Sequence, residues 1–397
     1  MRLCEVEAKA MLRHSGIAIP KSRFVAVDAP LDLAGFAGGV AKAQLLSGGR
    51  GKAGLVRFGA DEESLRKEVL ALRERIAADG KPAGILVEEK IAIAAEYYLS
   101  FVIDDALQCP VLLFSPQGGI DIEEAQDAVF SFLVDPLVEL RPHHLIAFFA
   151  KTGVEGKLLG ALTRLTVSLY RLFAAEDAEM LEINPLAVSR DGKLVPLDAK
   201  MVLDDSAFFR HRGRHTPLSE RLEQAELTPL EREAADAGFS FVEMPGDVAI
   251  MSAGAGMGMM LIDLIGQAGL RPACFVDGAV GSKGDQTTER LRLVFKRAEA
   301  ADVRAIMFYQ TLGTRDLKPR VEALLALLKE TPPSKPFYFG LSATYLAERN
   351  MTAQQACALL QDQGYFATSE ANELVARIRA DLKPAQTRTP RRTGNLP

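Results

Sequence analysis

The chain has 397 residues, 48% hydrophobic and 25% charged, with a formal net charge of −5. This length exceeds one ordinary core and implies two or three domains of a soluble globular protein. The acidic balance argues against a general nucleic-acid binder, and no apolar run approaches the 18 residues a membrane span needs.

Taken in order, residues 3–15 place Leu3, Val6, Ala10 and Met11 at helical spacing and stop at Gly16, which predicts a first helix. Acids and bases spread through the same stretch are unlike a signal peptide. Residues 17–20 and 22–27 read as a short strand after a turn, and 30–37 as a short helix broken by Gly38–Gly39. Residues 40–46 form a strand carrying Lys42, followed by the loop Ser47–Gly48–Gly49–Arg50–Gly51–Lys52–Ala53–Gly54. Four glycines in eight residues let backbone N–H groups turn toward an anion, and Arg50 and Lys52 add charge, so the simplest ligand is a polyphosphate. A solvated basic hairpin is the other reading of this loop taken alone. It follows neither the G-x-x-x-x-G-K-[ST] nor the G-x-G-x-x-G spacing, so ATP binding here implies another fold. A return strand (54–58), an amphipathic helix (61–78) and strands at 84–90, 96–104 and 109–114 complete an α+β pattern of hairpins beside helices.

Residues 115–124, SPQGGIDIEE, read as a glycine turn entering an alternating strand, with helices at about 142–151 and 154–174. Strands at 180–188 and 194–202 flank the turn Ser189–Gly192. On an alternating strand Glu182 and Asn184 share a face, and Asp198 opposes them across the hairpin. Leu181, Ile183 and Leu197 then fill the other face. Two carboxylates and an amide oxygen form a hard-oxygen site suited to Mg²⁺ with substrate phosphates; an ordinary solvated sheet face is the alternative. From about 204 to 236 charge rises, which suggests a linker with one or two helices.

Beyond it strands at 248–251, 272–276, 303–308, 336–340 and 364–367 alternate with helices at 255–268, 286–299, 317–330, 352–363 and 368–382. This alternation predicts a doubly wound parallel sheet. Residues 383–397, proline-containing and basic, read as a disordered tail. Cys4, Cys109, Cys274 and Cys357 form no CxxC pair, which fits a reducing cytoplasm and no structural zinc. His14, His143, His144, His211 and His215 sit in no nucleophile-like turn, and none is expected to be catalytic.

The segments KAQLLSGGRGKAG, ILVEEKIAIAAEYYL, GGIDIEEA, LEINPL, LDAK and AFFRH, in this order over roughly residues 1–380, resemble the β subunit of ADP-forming succinyl-CoA synthetase and related acyl-CoA ligases. The resemblance implies an N-terminal ATP-grasp domain (residues 1–235, with the linker from about 204) and a flavodoxin-like CoA-ligase domain (240–382). It also implies a heterodimer or heterotetramer in which an α subunit carries a phosphohistidine and most contacts to CoA. By the same resemblance Lys42, Gly49, Arg50 and Gly51 meet the phosphates of ATP, Glu88 and Ile91 the adenosine half, and Glu96 lies in the same site. Asn184 and Asp198 correspond to the Mg²⁺ ligands, and Glu182, with Arg50 as catalytic partner, to the acid that steadies the phosphohistidine.

The acid-substrate region departs from the pattern. Where succinate enzymes read NGAG, this chain has Ser252–Ala253–Gly254–Ala255–Gly256; GAVGSKGDQ (278–286, with Lys283) replaces GGGAT, and Thr311–Leu312–Gly313–Thr314–Arg315 replaces FGGIV. Leu341–Ser342–Ala343–Thr344 stands where the family has GN or GT. With Ala253, Gly254, Gly313, Thr314 and Arg315 as substrate residues, the expected acid is a small dianion other than succinate, such as sulfoacetate, malate or citrate, because a guanidinium binds an oxyanion by two parallel bonds. Three readings stay open beside it: a genuine succinyl-CoA synthetase β subunit, a stand-alone ATP-grasp carboxylate–amine ligase, and a non-catalytic partner subunit.

Overall fold

The computed structural model describes residues 1–47, 49–78, 84–119, 128–138, 140–211, 213, 216–252, 254–277, 286–313 and 315–382. The chain divides into two compact units, the first Met1–Glu226 and the second beginning at Leu227. The expected strand within 115–124, the loop 278–284 and the tail 383–397 fall wholly or largely outside the described residues.

The first unit runs β1 (Arg2–Leu3), α1 (Glu5–His14), β2 (Ser22–Ala26), β3 (Gly39–Ala43), β4 (Val56–Gly59), α2 (Glu62–Ala78), β5 (Gly84–Glu88), β6 (Ile93–Asp104), β7 (Cys109–Ser115) and β8 (Phe130–Leu133). It continues through α3 (Pro142–Lys151), α4 (Gly156–Ala175), β9 (Ala178–Ser189), β10 (Leu194–Pro196), β11 (Lys200–Leu203), a 3-10 turn (Asp205–Arg210) and α5 (Pro217–Glu226). Two antiparallel sheets result, one ordered β2-β5-β3-β4 and one ordered β1-β11-β9-β6-β7-β8 with β10 beside β9.

Period-two alternation decides what each sheet buries. Ala41, Ala43, Ile85 and Val87 turn into a core with Leu65, Val69 and Leu72 of α2. That leaves Lys42 and Glu88 on the opposite face. In the larger sheet Leu99, Phe101, Leu181 and Ile183 pack with Phe149 of α3 and Leu162, Leu169 and Phe173 of α4, which leaves Glu182 and Asn184 facing away. Among the described residues α4 is the one helix long and apolar enough to cross a membrane; here Leu162, Leu169, Leu172 and Phe173 belong to the core beside β9.

Four local expectations are corrected. α1 buries Glu5, Ala8, Lys9 and Leu12, while Ala10 is exposed and Val6 and Met11 are only half-buried. Residues 30–37 form no helix: the Asp32 carboxylate accepts from the Ala34 N–H and Gly35 takes φ +85°, which leaves a single turn closed by the Phe36 N–H on the Leu33 carbonyl, with Leu33 and Phe36 buried. The strand expected at 194–202 is two strands: the Leu197 N–H still reaches the Pro185 carbonyl of β9, but its own carbonyl is taken by Lys9 and Lys42, and regular pairing resumes only at Lys200. Leu197 consequently lines a cleft, and Ala199 and Met201 are the buried apolar residues there.

The second unit runs α6 (Pro229–Asp236), β12 (Ser240–Glu243), β13 (Val248–Ser252), α7 (Ala255–Gln267), β14 (Pro272–Asp277), α8 (Thr287–Ala298), β15 (Ala305–Leu312), α9 (Leu317–Glu330), β16 (Phe337–Ala343), α10 (Ala353–Asp362), β17 (Phe366–Thr368) and α11 (Ala371–Asp381). Its sheet is ordered β12-β14-β13-β15-β16-β17, parallel except for the edge strand β12. Val248 and Ile250 pack with Leu261 of α7 and Leu374 of α11, and Ala249 and Met251 with Leu291 of α8 and Val321 of α9. Strands buried on both faces make this a doubly wound sheet.

Candidate functional site

The outward faces of the two sheets in the first unit enclose a cleft of about 840 Å³. Lys42, Gly49, Arg50, Gly51, Glu88, Ile91, Glu96, Glu182, Asn184 and Asp198 all line it, so the two halves anticipated from sequence share one cavity. None of the described histidines does.

The inner wall is a charge cluster. Lys42 Nζ lies 2.8 Å from Glu5 Oε1 and 2.7 Å from Glu88 Oε2. Arg50 bridges Glu5 Oε2 and Asp198 Oδ1, each at 2.6 Å, and donates to the Ala43 carbonyl at 3.3 Å. Lys9 sits behind, 2.8 Å from Glu5 and 2.7 Å from Glu88, and donates to the Leu197 carbonyl at 2.6 Å. Three cations thus meet three carboxylates, and all but Asp198 are buried. Burial alone would raise the Glu5 carboxyl, but Lys42, Lys9 and Arg50 outweigh it and hold it well below the usual range. Burial likewise opposes the charge on Lys42 and Arg50, and the facing carboxylates reverse it and push both upward.

In the glycine loop Gly49 has φ +76° and open space around it. The N–H groups of Ala53, Gly54 and Leu55 bond back to the carbonyls of Gly49, Gly51 and Arg50, which folds the distal half on itself. Ser47 and Gly49–Lys52 are the described loop residues on the cleft wall. Gly48 lies outside the described residues.

On the opposite wall the ladder partners Pro196↔Leu186 and Lys200↔Glu182 keep one register on both sides of the break, so Asp198 opposes Asn184. Asn184 Oδ1 accepts from the Gly119 N–H at 2.9 Å, which fixes the amide. Burial raises the Glu182 carboxyl and the Asp198 charge adds to this, against Lys200 and a 3.4 Å contact from the Tyr98 hydroxyl. The donors are all oxygens, one amide and two carboxylates, and this set fits Mg²⁺. No group of three or more His, Cys, Asp or Glu that could hold a metal by itself occurs among the described residues.

Sequence reasoning missed Glu5 and Lys9. Their signal was present as a charged i,i+4 pair on the face that also carries Ala8 and Leu12, where solvated charges do not belong.

Residues 2–188 match the ATP-grasp domain family. The chain is 34% identical to the Thermus thermophilus "Succinate--CoA ligase [GDP-forming] subunit beta" over 87% of its own length and 91% of that protein. It is 33% identical to the ADP-forming β subunit of Methylobacillus flagellatus over 96% and 100%. The chain belongs to the succinate–CoA ligase β-subunit family. Among solved structures, ATP citrate lyase from Methanothrix soehngenii, with citrate and coenzyme A, shares the fold at TM-score 0.65 and 17% identity, over 96% of this chain and 99% of that one. An ATP-grasp domain followed by a flavodoxin-like sheet is therefore the fold class of this family member.

The positions expected from the resemblance to meet the acid fall in the second unit. β14 and β15 lie on either side of β13, so the sheet has its topological switch point there, where doubly wound folds bind ligands. Ser252 closes β13, fully buried, with its hydroxyl 3.3 Å from the Gly254 carbonyl. Gly254 caps α7 at φ +102°, a conformation that favours glycine. Gly313 follows β15, and its carbonyl accepts from the Thr344 hydroxyl after β16. Arg315 is exposed just beyond. Ala253 and Thr314, also predicted substrate residues, and Lys283 lie outside the described residues.

Proposed function

We propose that this chain is the nucleotide-binding β subunit of an ADP-forming acid–CoA ligase, converting ATP, a small acid and CoA to acyl-CoA, ADP and phosphate together with an α subunit. The observation that carries the reading is the single cleft in which Lys42, Arg50 and the loop Gly49–Lys52 stand opposite Glu182, Asn184 and Asp198. In this reading residues 1–235 serve the nucleotide and 240–382 the CoA-ligase half, in a reducing cytoplasm where the four free cysteines stay thiols.

Phosphoryl transfer needs charge neutralisation and in-line placement more than covalent help. Lys42 and Arg50 neutralise the phosphates, the loop amides orient them, and Ile91 and Glu96 line the part of the cleft left for the nucleoside. Asn184 and Asp198 would hold Mg²⁺, which when bound adds positive charge to the phosphates. None of the described histidines lines the cleft; in this reading the phosphoryl group passes to a histidine of the α subunit, and Glu182 steadies that phosphohistidine. The phosphate is then passed to the acid, and CoA displaces it from the acyl phosphate.

The acid is a small dianion other than succinate, sulfoacetate or a substituted dicarboxylate. The buried Ser252 stands in the region where the family's succinate enzymes carry an asparagine, and Arg315 offers a guanidinium at the same sheet end. The test is ADP formation by the purified αβ complex with CoA and a panel of acids. The reading requires dependence on CoA, on an acid and on the α subunit. Turnover without an α subunit would overturn the ligase assignment, and succinate as the best acid would overturn only the assignment of the acid.

A further inference from the structure

Glu5 and Lys9 belong to the first helix, one turn apart, and no role in the reaction has been given to either. Glu5 lines the cleft and is the one carboxylate shared by Lys42, Arg50 and Lys9. Lys9 does not line the cleft and is 1% exposed. It holds both oxygens of Glu88 at 2.7 Å and the Leu197 carbonyl at 2.6 Å, one residue before Asp198.

Buried charges of this kind are costly unless they match in number and geometry. Removing Lys9 leaves Glu5, Glu88 and Asp198 facing only Lys42 and Arg50. The unmatched carboxylates then compete with phosphate for those two cations. Removing the Glu5 charge does the opposite: it leaves Lys42 and Arg50 with a surplus positive charge that still attracts phosphate, but without the anchor that fixes where each cation sits.

We propose that Glu5 and Lys9 are positioning residues of the nucleotide site, Glu5 an internal counter-anion that aims Lys42 and Arg50 at the phosphates and Lys9 the buried cation that keeps Glu5 and Glu88 from withholding them. The inference rests on the cleft being the nucleotide site.

The test uses the purified αβ complex, with ADP plus Mg²⁺ titrated calorimetrically and turnover measured at saturating ATP. Lys9→Met weakens ADP by at least about tenfold, and Lys9→Arg restores most of it. Glu5→Gln binds ADP as tightly as wild type or tighter, yet lowers kcat at least about tenfold with the KM for CoA unchanged. If Glu5→Gln does not fold, Glu5→Asp, which keeps the charge and shortens the reach, carries the same expectation of lost kcat at wild-type affinity. A purely structural role would lower the melting temperature and the active fraction while the folded enzyme kept wild-type affinity and kcat, and that result overturns the proposal. Equal weakening of ADP by Glu5→Gln and Lys9→Met also overturns it. Wild-type complex that binds no ADP would instead refute the assignment of the cleft itself.

Discussion

Replacing Arg50 by Met removes the guanidinium that ties the glycine loop to Asp198, alongside the Lys42 and Lys9 bonds to the Leu197 carbonyl that also join the two walls. Arg50 reaches Glu5 and Asp198 at 2.6 Å each and is itself 9% exposed. Breaking a buried ion pair by deleting one partner costs about 3–5 kcal/mol. The Glu5 side is softened because Lys9 and Lys42 still face it, and the Asp198 side because that carboxylate is 38% exposed. About 2–3 kcal/mol is then expected, which for a unit of this size lowers Tm by roughly 4–12 °C. Loss of one pre-aimed donor to developing negative charge costs a further ~10²–10³ in kcat. Thermal melting by circular dichroism and rapid-quench ADP formation measure the two effects on one preparation. A variant melting within about 2 °C of wild type, or turning over within about threefold of it, would refute the claim that the guanidinium both ties the walls and serves the phosphates.

Other expectations follow from single contacts. Gly39→Ala places a Cβ 2.3 Å from the Glu88 carbonyl oxygen, so β3 must move away from β5; nucleotide affinity and Tm should fall together in calorimetry. The Glu5 carboxyl is held below its ordinary value of 4.5, so its ionised form adds stability that is fully present above pH 4.5 and is lost as pH falls toward the folded value. Acid melts of wild type should therefore steepen below pH 4.5, and Glu5→Gln should flatten that slope. Burial pushes the Cys4 and Cys274 thiols up to about 12, whereas Cys109 is half-buried. Iodoacetamide near pH 8 should then label Cys109 first by mass spectrometry, with Cys4 and Cys274 reacting only on unfolding.

The parts of the fold written in local pattern were legible. Alternation placed Glu182, Asn184 and Asp198 on one face, and β/α alternation gave the doubly wound sheet. Where tertiary contacts override pattern, the sequence misled. Leu197 looks like one more inward strand residue, yet its carbonyl is taken by two lysines from elements far away in sequence, and the strand breaks there. The face of α1 was misassigned for the same reason. An apolar count favours Val6, Ala10 and Met11, but Glu5 and Lys9 can be buried because Lys42, Arg50 and Glu88 wait for them across the fold. No local window contains that information.

The charge balance of the cleft makes its dependence on a divalent ion a strict expectation. Lys9, Lys42 and Arg50 already face Glu5, Glu88 and Asp198, and Lys52, Lys90 and Lys200 share the cavity with Glu89, Glu96 and Glu182, so its cations are matched by carboxylates. A diphosphate adds negative charge to this wall without bringing a cation. Each like-charged pair about 4 Å apart at an effective dielectric constant near 20 costs roughly 4 kcal/mol. ADP titrated with EDTA in place of Mg²⁺ should therefore bind at least about tenfold more weakly. Asp198→Asn separates this account from a merely general need for salt. It deletes one of the repelling anions along with a metal donor, so the variant should bind metal-free ADP better than wild type while losing most of the gain from Mg²⁺. Equal affinity of wild type with and without Mg²⁺, or an Asp198→Asn variant that keeps the full Mg²⁺ dependence, would show that the carboxylates opposite Arg50 are not what the ion answers to.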